Sequence, residues 1–415
     1  MVDRPTAPAA TTQTSLRDIT SQQWLNLFAA QAGYMLDAMD VLLFVFAVNV
    51  LRDQFHMSAA QAGLVSSFTL AFSAVGGITF GILSDRIGRA KAMLWSIVIY
   101  SVASAGTALS WNLASLLFWR GAIGIGLGAE WSAGALLVAE TWPAEHRAKA
   151  VGIMQSGWAL GYLLAAGVTA LMLPRWGWKA LFLTGLLPAF GVLVLQRKLK
   201  EPEIWRASRG KPRVSATGIF KGDLRRRTLL ASALATSALF AYWGLFTWIP
   251  GFLSASPERG GAGLSIVRTS GFIVPMQIGA FLGYVGFGWL SDKIGRRLAF
   301  VVYVIGAAIL TPIYGATHDQ QTLLLLGPCI GFLGTGFFSL FGAMLAELYP
   351  TSLRGAGLGC VYNIGRGLSS LAPWTVGFFA DRYGIGAALG LNSAFFLLGA
   401  ALIFTLPETK QVELA

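Results

Sequence analysis

The sequence predicts an all-α membrane protein with twelve transmembrane helices in two pseudo-symmetric six-helix halves. Three observations lead there. Hydrophobic residues make up 55% of the chain and charged residues only 12%, about half the charge that a water-exposed domain carries. The apolar residues gather into runs long enough to cross a hydrocarbon layer about 30 Å thick, which takes around 20 helical residues. Finally, a string repeats: Gly81, Leu83, Ser84, Asp85, Arg86, Ile87, Gly88 and Arg89 return 207 residues later as Gly288, Leu290, Ser291, Asp292, Lys293, Ile294, Gly295 and Arg296. At the same offset, Ala139-Glu140 before Pro143 and Arg147 returns as Ala346-Glu347 before Pro350 and Arg354. Arg175-Trp176-Gly177 likewise returns as Arg382-Tyr383-Gly384. An offset of half the chain describes a duplicated unit, the plan from which secondary transporters are built.

In chain order, the first half offers the runs Trp24–Val50, Ala60–Leu83, Ala92–Ser110, Leu113–Ala139, Ala150–Leu173 and Ala180–Gln196. The second offers Thr228–Phe252, Thr269–Leu290, Leu298–Ala316, Gln321–Leu345, Gly355–Phe379 and Gly386–Leu406. Helices are required because lipid gives an unpaired N–H or C=O no partner. The 50 glycines fit that setting, since they let membrane helices approach closely. The units are a polar tail (1–23), a first bundle (24–196), a basic linker (197–227), a second bundle (228–406) and a short tail (407–415). The first 20 residues lack the charged and apolar regions of a cleaved signal. Cys329 and Cys360 both fall in spans and imply no disulfide framework.

The formal net charge of +12 is an orientation signal. With the N-terminus placed in the cytoplasm, 23 of the 31 Lys and Arg lie on the cytoplasmic side and 6 on the other, the latter being Arg52, Arg175, Lys179, Arg259, Arg268 and Arg382. By the positive-inside rule both termini are cytoplasmic. The 11 basic residues of the linker suit an anionic lipid surface, and no nucleic-acid partner is implied.

Charges at membrane depth are costly and point to function. Asp37 and Asp40 lie deep in span one, three residues apart and so on one helix face, with Asp40 about 4.5 Å further out. Span four holds Arg120 and Glu130, and span eleven holds Arg366 near its middle. Asp37, Asp40, Glu130 and Arg120 form the proton-coupling set, because a buried carboxylate's affinity for a proton changes as a neighbouring charge moves. By depth, Asp40 is the better match for Arg120. Arg366 offers a fork that suits a carboxylate, with Asn363, Tyr362, Gln155 and Gln277 as further substrate contacts. Each has a structural alternative: a fixed ion pair for the charges, a helix–helix hydrogen bond for the neutral groups and for Gln31. Tyr242, Trp243, Trp248 and Trp158 either shape a pocket or simply pack.

Other chemistry is not indicated. Gly124, Gly126 and Gly128 follow no strand and read as helix-packing glycines, and no phosphate-binding Gly-rich Lys string occurs. His56, His146 and His318 stand in loops without metal-ligand partners, and no nucleophile–base pair appears. No enzyme activity, metal or cofactor is expected.

The repeated string, with Lys91 and Arg297 extending its two copies, resembles the loop signature of the major facilitator superfamily. Arg120 with Gly124, Gly126 and Gly128 resembles that family's span-four motif, and the likeness covers residues 20–410. Within it, the chain is most similar to the sialate:proton symporters and their aromatic-acid and organic-anion relatives. The stretches that carry this run from Gly33 to Asp40, Gly128 to Trp131, Glu140 to Pro143, Trp176 to Phe182, Pro202 to Trp205 and Ala356 to Pro373. The resemblance implies a major facilitator fold and proton-coupled uptake of an organic acid by alternating access, in a bacterial inner membrane, by a monomer with the proton as coupling ion. It also implies a gate built on Gly81, Asp85, Arg86, Gly88, Arg89, Asp292, Arg296, Glu140, Glu347 and Arg354, with Asp85 set against the start of span eleven. Two departures from the sialate carriers, a linker in place of two central spans and Arg366 in place of a small residue, favour a smaller carboxylate. The alternatives are a proton-driven exporter, a passive uniporter and a non-transporting nutrient sensor. Ser156-Gly-Trp-Ala-Leu-Gly161 lacks the proline of the exporters' span-five signature, and sensors carry long cytoplasmic extensions.

Overall fold

The computed structural model describes residues 19–187, 189–191, 201, 216–350 and 353–409, and most of both tails and of the linker lie outside the described residues. In the first half the helices are α1 (Ser21–Phe55), α2 (Ala59–Ile87), α3 (Arg89–Thr107), α4 (Leu113–Thr141) and α5 (Ala144–Leu183). The second half has α6 (Gly222–Phe246), α7 (Ile249–Ser254), α8 (Ile266–Ile294), α9 (Arg296–Ala316), α10 (Gln320–Gly336) and α11 (Ser339–Leu348). It ends with α12 (Arg354–Ser369), α13 (Ala372–Tyr383), α14 (Ile385–Leu389) and α15 (Asn392–Leu402).

Local chemistry explains the differences from the apolar runs. The first helix starts ahead of its apolar run because Thr20 and Gln23 form a capping box: the Gln23 N–H donates to Thr20 Oγ1 (3.3 Å) and the Thr20 N–H to Gln23 Oε1 (2.7 Å). Runs five and six join in α5 across Gly177, whose φ of 73° needs glycine. Its counterpart at the 207-residue offset, Gly384, has φ 79° and separates runs eleven and twelve. The seventh, tenth, eleventh and twelfth runs are each two consecutive helices, with Pro250 and Pro373 in the first turn of α7 and α13. Among the described residues, eight stretches are long and apolar enough to cross a membrane by length and composition.

The two halves pack alike. In the first, α1 lies on α5, and α4 on α2 and α3; in the second, α6 lies on α12, and α10 on α8 and α9. Between halves, α2 meets α12 and α13, and α5 meets α8. The close crossings are made by glycine: a Cβ at Gly76 or Gly128 would run into the backbone of the facing helix, and so would one at Gly283 or Gly331.

At the sparsely basic face the halves are tied by polar contacts. The Asp381 carboxylate, at the end of α13, accepts from the Ala59 N–H (2.7 Å) and the Ala60 N–H (2.9 Å) that open α2. Arg52 lies 3.9 Å from Asp381, Arg259 pairs with Asp53 at 3.2 Å, and Asn49 donates to Gly251 O and Ser254 Oγ, each at 2.9 Å.

Candidate functional site

Two buried polar clusters lie between the spans. The first spans both halves. Tyr34 on α1 is buried, within electrostatic reach of Tyr362 and Arg366 on α12, Tyr284 on α8 and Asp37 one turn along α1. Arg366 is 6% exposed, donates a hydrogen bond to Tyr362 and lies over its ring, 5.5 Å from the centroid. Aromatic side chains wall this cluster. Trp158 on α5 packs on Tyr34 (5.3 Å between centroids) and donates its indole N–H to Tyr242 Oη on α6 at 2.7 Å. Tyr242 stacks on Phe246 (4.8 Å) and meets the edge of Phe338 (5.0 Å), while the Tyr162 hydroxyl donates to Phe246 O at 3.0 Å. A cation surrounded by aromatic faces and hydroxyl groups can hold a small anion with a flat body: the guanidinium takes the carboxylate and the rings take the carbon skeleton.

The second cluster belongs to the first half. Asp40 is fully buried and accepts from the Ser104 hydroxyl of α3. Arg120 of α4, 1% exposed, lies over the Phe44 ring at 4.8 Å and is the basic group acting on Asp40. Asp40 Oδ2 and Arg120 Nε and Nη1 have no hydrogen-bond partner among the described residues. Asp37 lies within electrostatic reach of Tyr34, three residues before it on α1, while Asp40 engages Ser104 of α3 and Arg120 of α4.

The remaining residues are placed as follows. Asn363 donates to Gly359 O (2.9 Å) on its own helix, and its Oδ1 abuts Gly77 of α2, so it sits at the α2–α12 crossing. Gln277 is buried on α8 and Gln155 half-buried on α5. Gln31 joins α1 to α5 through Ile153 O (3.0 Å) and Ser156 Oγ (3.1 Å). Trp248 donates to Pro373 O (2.9 Å) and packs within the second half. Of the gate, Arg86 is exposed at the end of α2, and Gly88 takes φ 115° ahead of α3. The Arg296 N–H donates to Glu408 Oε1 at 3.1 Å. The side chains of Asp85, Arg89, Glu130, Glu140, Asp292, Glu347 and Arg354, and the surroundings of Gly81, lie outside the described residues. Sequence reasoning passed over Tyr34, Tyr162, Tyr284, Ser104, Asp381, Glu201 and Glu408. Only the last pair carried a signal, their separation of 207 residues.

Comparison with known proteins agrees with the fold. The profile of the Major Facilitator Superfamily matches residues 31–276 and 269–415. The chain is 34% identical over 405 residues to a putative metabolite transport protein of Haemophilus influenzae, covering 94% of this chain and 98% of that one. It is 30% identical over 406 residues to the cis,cis-muconate transport protein of Acinetobacter baylyi, covering 95% and 97%. Among solved structures it is similar to a D-xylose-proton symporter, with TM-score 0.76, 19% identity, and 94% and 99% of the two chains covered. With both halves matched and full-length relatives at this identity, the chain belongs to the major facilitator superfamily: it is a multi-pass membrane transporter and not an enzyme.

Proposed function

We propose that the protein takes up a small, flat organic carboxylate together with a proton, by alternating access at a site between its halves. The observation that carries this reading is Arg366, buried within an aromatic cluster to which both halves contribute. A single guanidinium among rings favours a monocarboxylate or compact dicarboxylate with a conjugated body over a polyhydroxylated acid, which needs many hydrogen-bonding partners. The relative named for cis,cis-muconate transport supports that class. In this reading Asp40, beside Arg120, is the carrier of the coupling proton, and Asp37 is the acid nearer the substrate cluster, within reach of Tyr34. Loading would then follow one order: proton to Asp40, carboxylate to Arg366, rotation of the halves, release to the cytoplasm. The basic linker and loops support, by the positive-inside rule, a reading with both termini cytoplasmic.

Uptake into proteoliposomes tests this, using a panel of sialate, lactate, benzoate, shikimate and cis,cis-muconate, with and without an inward proton gradient. Accumulation of a flat acid that collapses with a protonophore is expected. Equilibration that ignores the gradient makes the protein a uniporter, and accumulation driven only by an outward proton gradient makes it an exporter.

A further inference from the structure

Asp40 belongs to a short chain of polar atoms that links three spans. It is fully buried, as are Ser104 of α3 and Phe182 near the end of α5. The Ser104 hydroxyl donates to Asp40 Oδ1, and the same hydroxyl has Phe182 O within reach at 3.5 Å. Gly185, in the 3₁₀ turn Thr184–Leu186 that follows α5, covers this meeting point. A Cβ there would run into Ser104 Oγ and lie 2.8 Å from Asp40 Oδ1, so only a residue without a side chain lets the sixth span close over the pair. Asp40 Oδ2 has no hydrogen-bond partner among the described residues. The two carboxylate oxygens therefore stand in unlike surroundings: one meets a hydroxyl with a carbonyl behind it, the other meets no partner.

We infer that Ser104 is a positioning residue for proton binding: it accepts from a proton on Asp40 Oδ1 while handing its own hydrogen to Phe182 O. This rests on the reading that Asp40 carries the coupling proton. A hydroxyl has one hydrogen and two lone pairs, so Ser104 can donate to one neighbour while accepting from another. With Asp40 ionised, the Ser104 hydrogen goes to Oδ1, because a bond to a charged acceptor is stronger than one to a carbonyl. A proton arriving on Oδ2 would be a buried donor with nothing to receive it. On Oδ1 it is donated to Ser104 Oγ, the Ser104 hydrogen turns to Phe182 O, and no donor is left unmatched. Among the described residues the charged group acting on Asp40 is Arg120 of α4, whose guanidinium has donors only and cannot accept the proton's hydrogen bond. From α3 and the sixth span come the hydroxyl, the carbonyl and the glycine, and Asp37, the other acid of α1, lies within reach of Tyr34. Rotation of one hydroxyl thus accompanies loading of the proton, and it moves a hydrogen bond from α1 to the sixth span.

The test is infrared difference spectroscopy of the full-length protein in nanodiscs during a pH titration without substrate, following the C=O band of protonated carboxyl groups. Wild type is compared with Asp40→Asn, Ser104→Ala and Ser104→Cys. Ser101→Ala, which removes the hydroxyl of another buried serine on α3, is the control. The component of the band that Asp40→Asn lacks belongs to Asp40. In Ser104→Ala that component should shift to higher wavenumber, as for a carboxyl whose O–H has lost its acceptor. Ser104→Cys keeps the shape with a weaker acceptor and should shift it in the same direction, while Ser101→Ala should leave it where it is in wild type. An Asp40 component that stays in place in Ser104→Ala or Ser104→Cys overturns the inference and leaves Asp40 as the proton carrier. A band that Asp40→Asn leaves unchanged at every pH removes the reading beneath it, and the inference with it.

Discussion

The carboxylates of Glu201 and Glu408, 207 residues apart, cap equivalent helices in the two halves. Glu201 accepts from the Ala90 and Lys91 N–H groups, each at 3.2 Å, at the start of α3. Glu408 accepts from the Arg296 and Arg297 N–H groups, each at 3.1 Å, at the start of α9. Each acid follows its bundle's last span and reaches back to the helix after the repeated string, where free N–H groups and the helix dipole favour a negative charge. Replacing either by Gln should cost about 1 kcal/mol of bundle stability, with nearly additive losses because the sites are far apart. Thermal unfolding in detergent of the two single variants and the double variant checks this. A double variant no less stable than the singles would place both caps in one coupled unit.

Asp381 ties the halves together at the sparsely basic face by capping α2 from the other half. Two charge-assisted hydrogen bonds to backbone are worth about 1.5–3 kcal/mol each when intact, less where water reaches them. Asp381→Ala should therefore raise the fraction open at that face by roughly tenfold, a shift of about 1.4 kcal/mol. Spin labels on cysteines introduced at His56 and Glu258 would report a longer distance in the variant. An unchanged distance distribution would show that apolar packing alone closes this face.

Arg366→Lys keeps the charge but loses the planar fork, and Arg366→Ala loses both. Affinity for the transported acid should fall about tenfold for Lys and a hundredfold or more for Ala, as binding isotherms would record, while thermal stability changes little. Equal losses for the two would mean that geometry at the guanidinium, rather than charge, sets recognition.

Asp319 opens α10 by accepting from the Thr322 N–H (2.8 Å) and Thr322 hydroxyl (2.7 Å), and these bonds lower its carboxyl's pKa. A depressed carboxylate adds stability above its unfolded pKa and loses it as pH falls through the lower folded value. Melting temperature should consequently drop on acidification less steeply in Asp319→Asn than in wild type. Identical slopes for the two proteins would show that this cap does not contribute to acid sensitivity.

How much of this was legible depended on whether a feature is carried by pattern or by proximity. The apolar runs and the 207-residue offset prescribe the helices and the duplication, because periodicity along the chain is what lipid and gene duplication act on. Arg120, Asp40 and Arg366 stand out because charge in an apolar run is conspicuous. The aromatic wall does not, since Tyr34 and Tyr284 are ordinary residues in a chain that is 12% aromatic, and only packing gathers them near Tyr362 and Arg366. Asp381 was equally hidden. An acid at a helix end reads as a solvated terminus until the helix it caps, more than 300 positions away in the chain, is folded beside it.

The duplication also carries an asymmetry. Counting 207 residues forward, Asp37 corresponds to Gly244, Asp40 to Thr247 and Arg120 to Gly327; counting back, Arg366 corresponds to Ala159. The deep charges were thus not duplicated with the scaffold: Asp37, Asp40 and Arg120 stand in the first half, and Arg366 in the second. Under the proposed roles, two copies of the first half would hold a proton relay without an anion clamp, and two copies of the second the clamp without the relay. Fusion into a single chain, with the linker fixing one copy of each, makes the two halves obligate companions.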